Sequence, residues 1–64
     1  MNTEYIILSE NRGDYITRLQ FEPNGDFEIH GGPAEEAIRY TLEQATSLVE
    51  EMGRGYSIEP APAK

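Results

Sequence analysis

The 64-residue chain contains no cysteine and no tryptophan, and only five of its residues are lysine or arginine. The lack of cysteine excludes disulfides, thiolate zinc sites, iron–sulfur clusters and a cysteine nucleophile, and it fits a reducing compartment. A chain this short buries only about 60% of the surface that it exposes when unfolded. The core must therefore be small, and self-association is one way to enlarge it.

The few basic residues are outnumbered by twelve acidic ones, which gives a formal net charge of −7. Proteins bind nucleic acids and anionic lipids through clustered lysine and arginine. The charge therefore argues against direct nucleic-acid or membrane binding and is compatible with a protein partner that has a basic surface. Acidic charge that only maintains solubility is the alternative. The basic residues are scattered: Arg12, Arg18, Arg39, Arg54 and Lys64.

Long apolar segments are also missing from the sequence. No run approaches the ~20 residues that cross a bilayer. The N-terminus lacks the basic start and apolar core of a signal peptide. We therefore expect a cytoplasmic protein.

The strongest pattern in the sequence lies between Thr41 and Gly53. Thr41 and Gln44 have the spacing of a capping box, in which each side chain bonds the backbone N–H of the other residue. Gly53 can adopt the positive φ that ends a helix. Between them, apolar residues recur at the spacing of one helical face, which predicts an amphipathic helix. These residues are Leu42, Ala45, Leu48, Val49 and Met52.

The segment before this helix has two interpretations. Pro33 suits the first position of a helical turn, and the apolar stripe continues back through the segment, so a single helix could span residues 33–52. Alternatively, residues 34–39 form a short turn and the chain breaks near Tyr40. We favour the break because the capping box at Thr41 marks a new helix start.

Four other segments have the apolar alternation or β-branched composition of strands. Asn24-Gly25, between the second and third segments, suits the φ > 0 geometry of a tight hairpin. Arg12-Gly13-Asp14 resembles an adhesion tripeptide, but Gly and Asp are ordinary turn residues and we interpret it as a turn. The strands are predicted at residues 5–8, 15–21, 27–30 and 56–59, with residues 60–64 as a flexible tail.

These elements predict an α+β fold with the order β-β-β-α-β in a single domain of residues 1–59. The first three strands form an antiparallel meander, and the helix returns across one face of the sheet. A right-handed crossover then places the short C-terminal strand beside strand 1 and parallel to it, giving the strand order 4-1-2-3.

The sheet face away from the helix, here called the open sheet face, is predicted to be uncovered. Alternation assigns Tyr15, Thr17, Leu19 and Phe21 to the helix side. The open sheet face would also carry either Ile6 and Leu8 or Tyr5 and Ile7, which makes it too apolar for solvent. We therefore predict a candidate homodimer face, made of Ile16, Arg18, Gln20 and His30.

Acidic residues provide the other candidate binding surface. Glu36, Glu43 and Glu50 are seven residues apart, so one continuous helix would align them in a ridge with a spacing of about 10 Å. Such a row can imitate DNA phosphates and occupy the basic cleft of a nucleic-acid-binding protein. The alternative is the solvated back of an amphipathic helix. The candidate partner-binding residues are Glu36, Glu43, Glu50, Glu51, Glu28 and Asp26.

No constellation in the sequence indicates catalysis. Asp26, Glu28 and His30 alternate on one strand, but side chains two residues apart are separated by about 7 Å and need further metal ligands from another element. We interpret them as a solvated face. There is no Ser-His-Asp arrangement and no glycine-rich phosphate loop. We predict a protein without catalytic residues, cofactor or metal.

The chain resembles a diffuse group of short bacteriophage and prophage proteins. The resemblance lies in residues 4–7 (Glu-Tyr-Ile-Ile), residues 37–45 (Ala-Ile-Arg-Tyr-Thr-Leu-Glu-Gln-Ala) and the helix stop at Gly53. Members open with a tyrosine-bearing strand and carry Ala-x-x-(Phe or Tyr)-Thr-x-x-x-Ala before a helix that ends in glycine. The resemblance implies an origin in a phage or mobile element. Small acidic proteins of that origin often inhibit host or defence machinery, anti-CRISPR proteins among them, and no functional residue is transferred.

Overall fold

A computed structural model describes residues 3–62 and shows an α+β fold. Its four strands form one sheet in the predicted order, β3-β2-β1-β4. Every neighbouring pair in this sheet is antiparallel. The strand bounds agree with the predicted ones to within two residues. The elements are β1 (Tyr5–Ser9), β2 (Asp14–Phe21), β3 (Phe27–Gly32), a 3-10 turn (Ala34–Glu36), α1 (Leu42–Met52) and β4 (Tyr56–Pro60).

The direction of β4 differs from the prediction, because β4 runs antiparallel to β1. It begins beside Ser9 and ends beside Tyr5. β3 ends at Gly32, at the same end of the sheet as Ser9, whereas Tyr40 pairs with Tyr5 at the opposite end. Residues 33–40 have thus already crossed the sheet once. The helix crosses it a second time and starts β4 at the Ser9 end.

Residues 38–40 lie between β1 and β2, whose own ladder covers only two residue pairs. The Ile38 N–H donates to the carbonyl of Ile16 at 3.0 Å. Tyr5 and Tyr40 exchange both backbone hydrogen bonds, at 2.7 and 2.8 Å. These bonds satisfy backbone groups that the separated strands leave unpaired. The favoured break before the helix is therefore confirmed, and the alternative of one helix over residues 33–52 is wrong.

Both ends of α1 follow the predicted local signals. The Gln44 N–H donates to the Thr41 hydroxyl and the Thr41 N–H donates to the Gln44 side-chain oxygen, each at 3.1 Å. Gly53 ends the helix with a φ of 90°, and its N–H donates to the Val49 carbonyl at 2.9 Å. Few residues other than glycine adopt this φ. The capping box and the glycine stop are confirmed.

The core lies between α1 and the sheet and centres on Ile7, Ile16, Ala45 and Met52. Leu42 does not join it, although it was predicted on the same apolar stripe, and remains 51% exposed. At about 100° per residue it stands about 60° from Ala45, on the flank of the stripe. The other stripe residues pack against the core while half-buried, namely Leu48 and Val49.

A β-bulge in β2 changes which side chains face the helix. Ile16 pairs with Gly31 and Arg18 pairs with His30, so Thr17 is an extra residue. Because the alternation shifts at this point, Ile16 packs in the core at 1% exposure, on the same side as Leu19. The prediction that Ile16 lies on the open sheet face is wrong. The residues before and after Ile16 lie on the open sheet face instead, namely Tyr15 and Thr17.

The C-terminal residues are attached to the sheet as far as the structure describes them. Pro60 pairs with Tyr5, and the Ala61 N–H donates to the Glu4 carbonyl at 2.8 Å. The Arg39 guanidinium donates to the Pro62 carbonyl at 2.8 Å. Residues 60–62, which were predicted as part of a flexible tail, are thus paired or hydrogen-bonded with the rest of the chain, and the last two residues of that predicted tail lie outside the described chain.

Candidate protein-binding surfaces

The outward side of α1 carries a group of exposed polar residues. We call Glu43, Ser47, Glu50 and Glu51 the acidic helix face, and all four are exposed. Glu43 and Glu50 are separated by two helical turns, about 10 Å along the axis. Within residues 3–62, none of the three carboxylates forms an ion pair or a side-chain hydrogen bond. Their charge is therefore directed to solvent.

Two of these carboxylates occupy an unfavourable position. Glu50 and Glu51 lie in the last turn of α1, which contains no basic residue. The helix dipole places partial negative charge at this end, and a carboxylate here costs about 0.3–1 kcal/mol. Glu43 lies in the first turn, where the same dipole favours it. Functional sites are among the places where proteins break such local rules.

A shallow, open groove runs beside the acidic helix face. Tyr40 and Leu48 supply its apolar part and Glu43 its charge. Burial raises the pKa of Tyr40 above its ordinary value. An apolar floor beside a carboxylate suits the aliphatic stem and cationic head of arginine or lysine. The remaining lining residues are polar: Thr41, Gln44 and Ser47.

The other predicted partner-binding residues lie elsewhere. Glu36 is on the 3-10 turn, so the predicted ridge of three glutamates is not continuous. Asp26 lies in the β2–β3 turn, where its carboxylate accepts from the Asn24 side chain at 3.3 Å. Glu28 is on β3 and shares the open sheet face with Gln20, its cross-strand partner. The six residues do not form one surface, and only Glu43, Glu50 and Glu51 share an element.

The open sheet face is more polar than predicted. Arg18 lies opposite His30 and Gln20 lies opposite Glu28, and all four are exposed. Ile6 also points to this side, since its neighbours on β1 pack with the helix, but it is only 1% exposed. With Ile6 covered and Ile16 in the core, the predicted excess of exposed apolar groups is not found.

Tyr15 and Glu59 connect β2 to β4 across the same face. The Tyr15 hydroxyl donates to the Glu59 carboxylate at 2.8 Å. This hydrogen bond, then desolvation and the charge of Glu59, raise the pKa of Tyr15 above its ordinary value of 10.0. The contact thus links the two strands through their side chains.

The structure places both short motifs of the sequence, Asp26-Glu28-His30 and Arg12-Gly13-Asp14. Among residues 3–62, no group of three histidine, aspartate or glutamate side chains is close enough to hold a metal ion. The Arg12-Gly13-Asp14 tripeptide forms part of a turn. Gly13 has a φ of 75° and donates its N–H to the Ser9 carbonyl at 2.8 Å, and Arg12 lies 3.6 Å from the Asp14 carboxylate. Gly13 therefore has the turn role that was predicted.

Sequence reasoning missed one functional candidate and one structural contact. Phe21 is 47% exposed at the end of the β2–β3 hairpin, beyond the cover of α1. Its alternation with Leu19 predicted that the helix covers it. The length of β2 could have indicated its exposure, because the last residue of a long strand extends past the helix. The structural contact is that of Arg39, which the sequence showed only as one of several scattered basic residues. Its guanidinium forms an ion pair with Glu4 at 3.3 Å and donates a hydrogen bond to the C-terminal segment.

The described part of the chain has no helix of the length and apolar character needed to cross a membrane. Comparison with protein-family models, curated proteins and solved structures finds no match. The surfaces of the chain itself are therefore the basis for a proposed function.

Proposed function

We propose that the protein is a non-enzymatic binding module that docks a basic protein on its acidic helix face. The observation that carries this proposal is the position of Glu50 and Glu51. Both are exposed in the last turn of α1, against the helix dipole and without a cationic partner in residues 3–62. A cationic partner would neutralise them and remove this unfavourable interaction.

The groove beside the acidic helix face supplies shape. Tyr40 and Leu48 offer apolar contact while Glu43 offers charge. Arginine and lysine side chains use both kinds of contact, and arginine is enriched at the centres of protein interfaces. The surface therefore favours a partner that inserts a basic side chain.

The partner class that we propose is a nucleic-acid-binding factor of a bacterial host or of its defence systems. Glu43 and Glu50 project from the same side of α1, about 10 Å apart, and present two fixed negative charges. Carboxylates at this spacing can occupy a cleft that normally holds phosphates. The implied phage origin agrees with an inhibitor of this kind.

The alternative is a self-associating domain that dimerises through the open sheet face. This dimer was predicted because the open sheet face was expected to be apolar. Ile16 belongs to the core and Ile6 is covered, so the residues of the predicted dimer face that remain exposed are polar: Arg18, Gln20 and His30. Interfaces between identical subunits have apolar centres. The acidic helix face therefore has the stronger support.

Charge reversal on two elements tests the proposal. The protein is immobilised, exposed to a bacterial lysate, and the retained protein is assayed for duplex-DNA binding. We expect the native protein to retain the partner and to inhibit its binding to DNA. Glu43→Lys with Glu50→Lys should abolish both effects. Glu35→Lys with Glu36→Lys changes the net charge equally on the 3-10 turn and should retain the partner. Equal loss in both variants, or loss in neither, would contradict a specific role of the acidic helix face.

A further inference from the structure

The two outer strands of the sheet differ in how their free edges are protected. β4 ends in Pro60, and the chain that follows it contains a second proline. β3 (Phe27–Gly32) contains neither proline nor lysine, the residues that most often prevent edge strands from pairing. The bulge of this sheet lies in β2 and leaves β3 regular. β3 is therefore the edge that is open to a further strand.

The hydrogen bonds of the β2–β3 hairpin determine which groups face this edge. Gly25 has a φ of 94°, and the Glu22 N–H donates to the Asp26 carbonyl at 2.8 Å. Antiparallel pairs alternate between bonded and non-bonded, so Glu28 and His30 bond to β2. The residues that alternate with them direct their N–H and C=O groups away from β2, toward the free edge: Phe27, Ile29 and Gly31.

We propose that two copies of the chain pair through β3, antiparallel and about a two-fold axis at Ile29. In this register Ile29 exchanges both hydrogen bonds with the partner's Ile29. Phe27 pairs with the partner's Gly31, and the reverse pair follows by symmetry. Every outward backbone group of the three edge residues is then satisfied, and the two sheets form one sheet of eight strands.

The pairing of a carboxylate with an imidazole, which can donate an N–H to it, selects this register. With the axis at Ile29, Glu28 lies opposite the partner's His30 in a non-bonded pair, where side chains are closest. Symmetry provides this pair twice. An axis at Phe27 would instead place Asp26 opposite the partner's Glu28, which juxtaposes like charges. An axis at Gly31 would leave His30 without an acidic residue opposite it.

The apolar side of the hairpin benefits from the same pairing. α1 packs mainly over β1 and β4, and Phe27 and Ile29 of the outer hairpin remain only half-buried against the core. Phe21 is 47% exposed, and its ring lies 6.1 Å from that of Phe27. The two-fold axis is perpendicular to the sheet, so Ile29 and Phe27 of both copies meet on one side. The added burial compensates for the small core of one chain.

Sedimentation of the full chain up to about 1 mM tests the pairing, a range that detects weak association. We expect the mass of two chains at the highest concentrations. Ile29→Pro removes an N–H that does not bond to β2, so it should give the mass of one chain with an unchanged circular dichroism spectrum. A native protein that stays at the mass of one chain would overturn the proposal.

A charge swap tests the register without touching the backbone. Glu28→Lys places a lysine opposite the partner's His30 and should weaken dimerisation about tenfold, through two cross-strand pairs. Glu28→Lys combined with His30→Glu restores opposite charges and should recover the native dissociation constant. The double variant also covers the case in which Ile29→Pro fails to fold. If the double variant dimerises no more strongly than Glu28→Lys alone, this register is overturned.

Discussion

Tyr5 and Tyr40 exchange both of their backbone hydrogen bonds, at 2.7 and 2.8 Å, although they are far apart in the sequence. Tyr5 begins β1, and Tyr40 immediately precedes the N-cap of α1. The bridge therefore fixes the start of the helix over the end of the sheet where β4 finishes. It follows that the position of the acidic helix face depends on the helix start at Thr41.

The N-cap gives the first prediction. Thr41→Ala removes the hydroxyl that accepts from the Gln44 N–H and should lower the free energy of unfolding by about 1 kcal/mol. Thr46→Ala is the matched control, because the Thr46 hydroxyl only donates to the Leu42 carbonyl within the helix. The control should leave stability unchanged or raise it, since alanine has the higher helix propensity. Urea unfolding measures both, and equal losses would contradict the capping role.

The second prediction concerns the C-terminal residues. Arg39→Ala removes the donor to the Pro62 carbonyl and the ion pair with Glu4. We expect faster hydrogen exchange of the Ala61 amide, which bonds the Glu4 carbonyl, and a loss of about 1 kcal/mol in stability. Arg54→Ala removes an exposed arginine of equal charge and should change neither quantity. Unchanged exchange in Arg39→Ala would show that residues 60–62 are held without this contact.

Alkaline pH provides the third prediction. The pKa of Tyr15 is raised in the folded protein by its hydrogen bond to Glu59, then by desolvation and by the charge of Glu59. The folded state thus holds the phenol proton more tightly than the unfolded state does. This contribution to stability is complete below the ordinary pKa of 10.0 and is lost as the pH rises through the folded value. Urea unfolding at increasing pH should show a smaller decline for Tyr15→Phe, and equal declines would contradict the linkage.

The parts of the fold that follow from neighbouring residues could be predicted from the sequence. Thr41, Gln44 and Gly53 act within one or two helical turns, so they determine both helix ends locally. The direction of β4 depends instead on the Tyr5–Tyr40 bridge, which joins residues far apart in the chain. The bulge at Thr17 could not be predicted from the alternation of apolar residues either, because it depends on how β2 pairs with β3.

The candidate sites follow the same division. The exposure of Glu43, Glu50 and Glu51 was predictable, because helical periodicity alone separates them from the core. The separation of Glu36 from them also follows from the capping box at Thr41, which starts the helix after Glu36. The open sheet face carries fewer apolar groups than predicted, because one bulge places Ile16 in the core.

Ile16 gives the fourth prediction, which tests the bulge. Ile16 is 1% exposed and packs with Ile7 and Ala45. Ile16→Ala should therefore lower the free energy of unfolding by about 2–4 kcal/mol. Arg18→Ala, two residues further along β2 on the exposed face, should change it by less than about 0.5 kcal/mol. A small loss for Ile16→Ala in urea unfolding would mean that the side chain faces solvent, as simple alternation predicts.

The fifth prediction separates the stability of α1 from its proposed function. Glu50→Gln with Glu51→Gln removes charge from the C-terminal end of the helix and should raise the free energy of unfolding by about 0.5–2 kcal/mol. Glu43→Gln removes charge from the first turn and should lower it, because the dipole favours a carboxylate there. If the acidic helix face binds a basic partner, both variants weaken that binding although their stabilities change in opposite directions. Urea unfolding with partner retention measures both quantities, and retention that follows stability would contradict a binding role for these carboxylates.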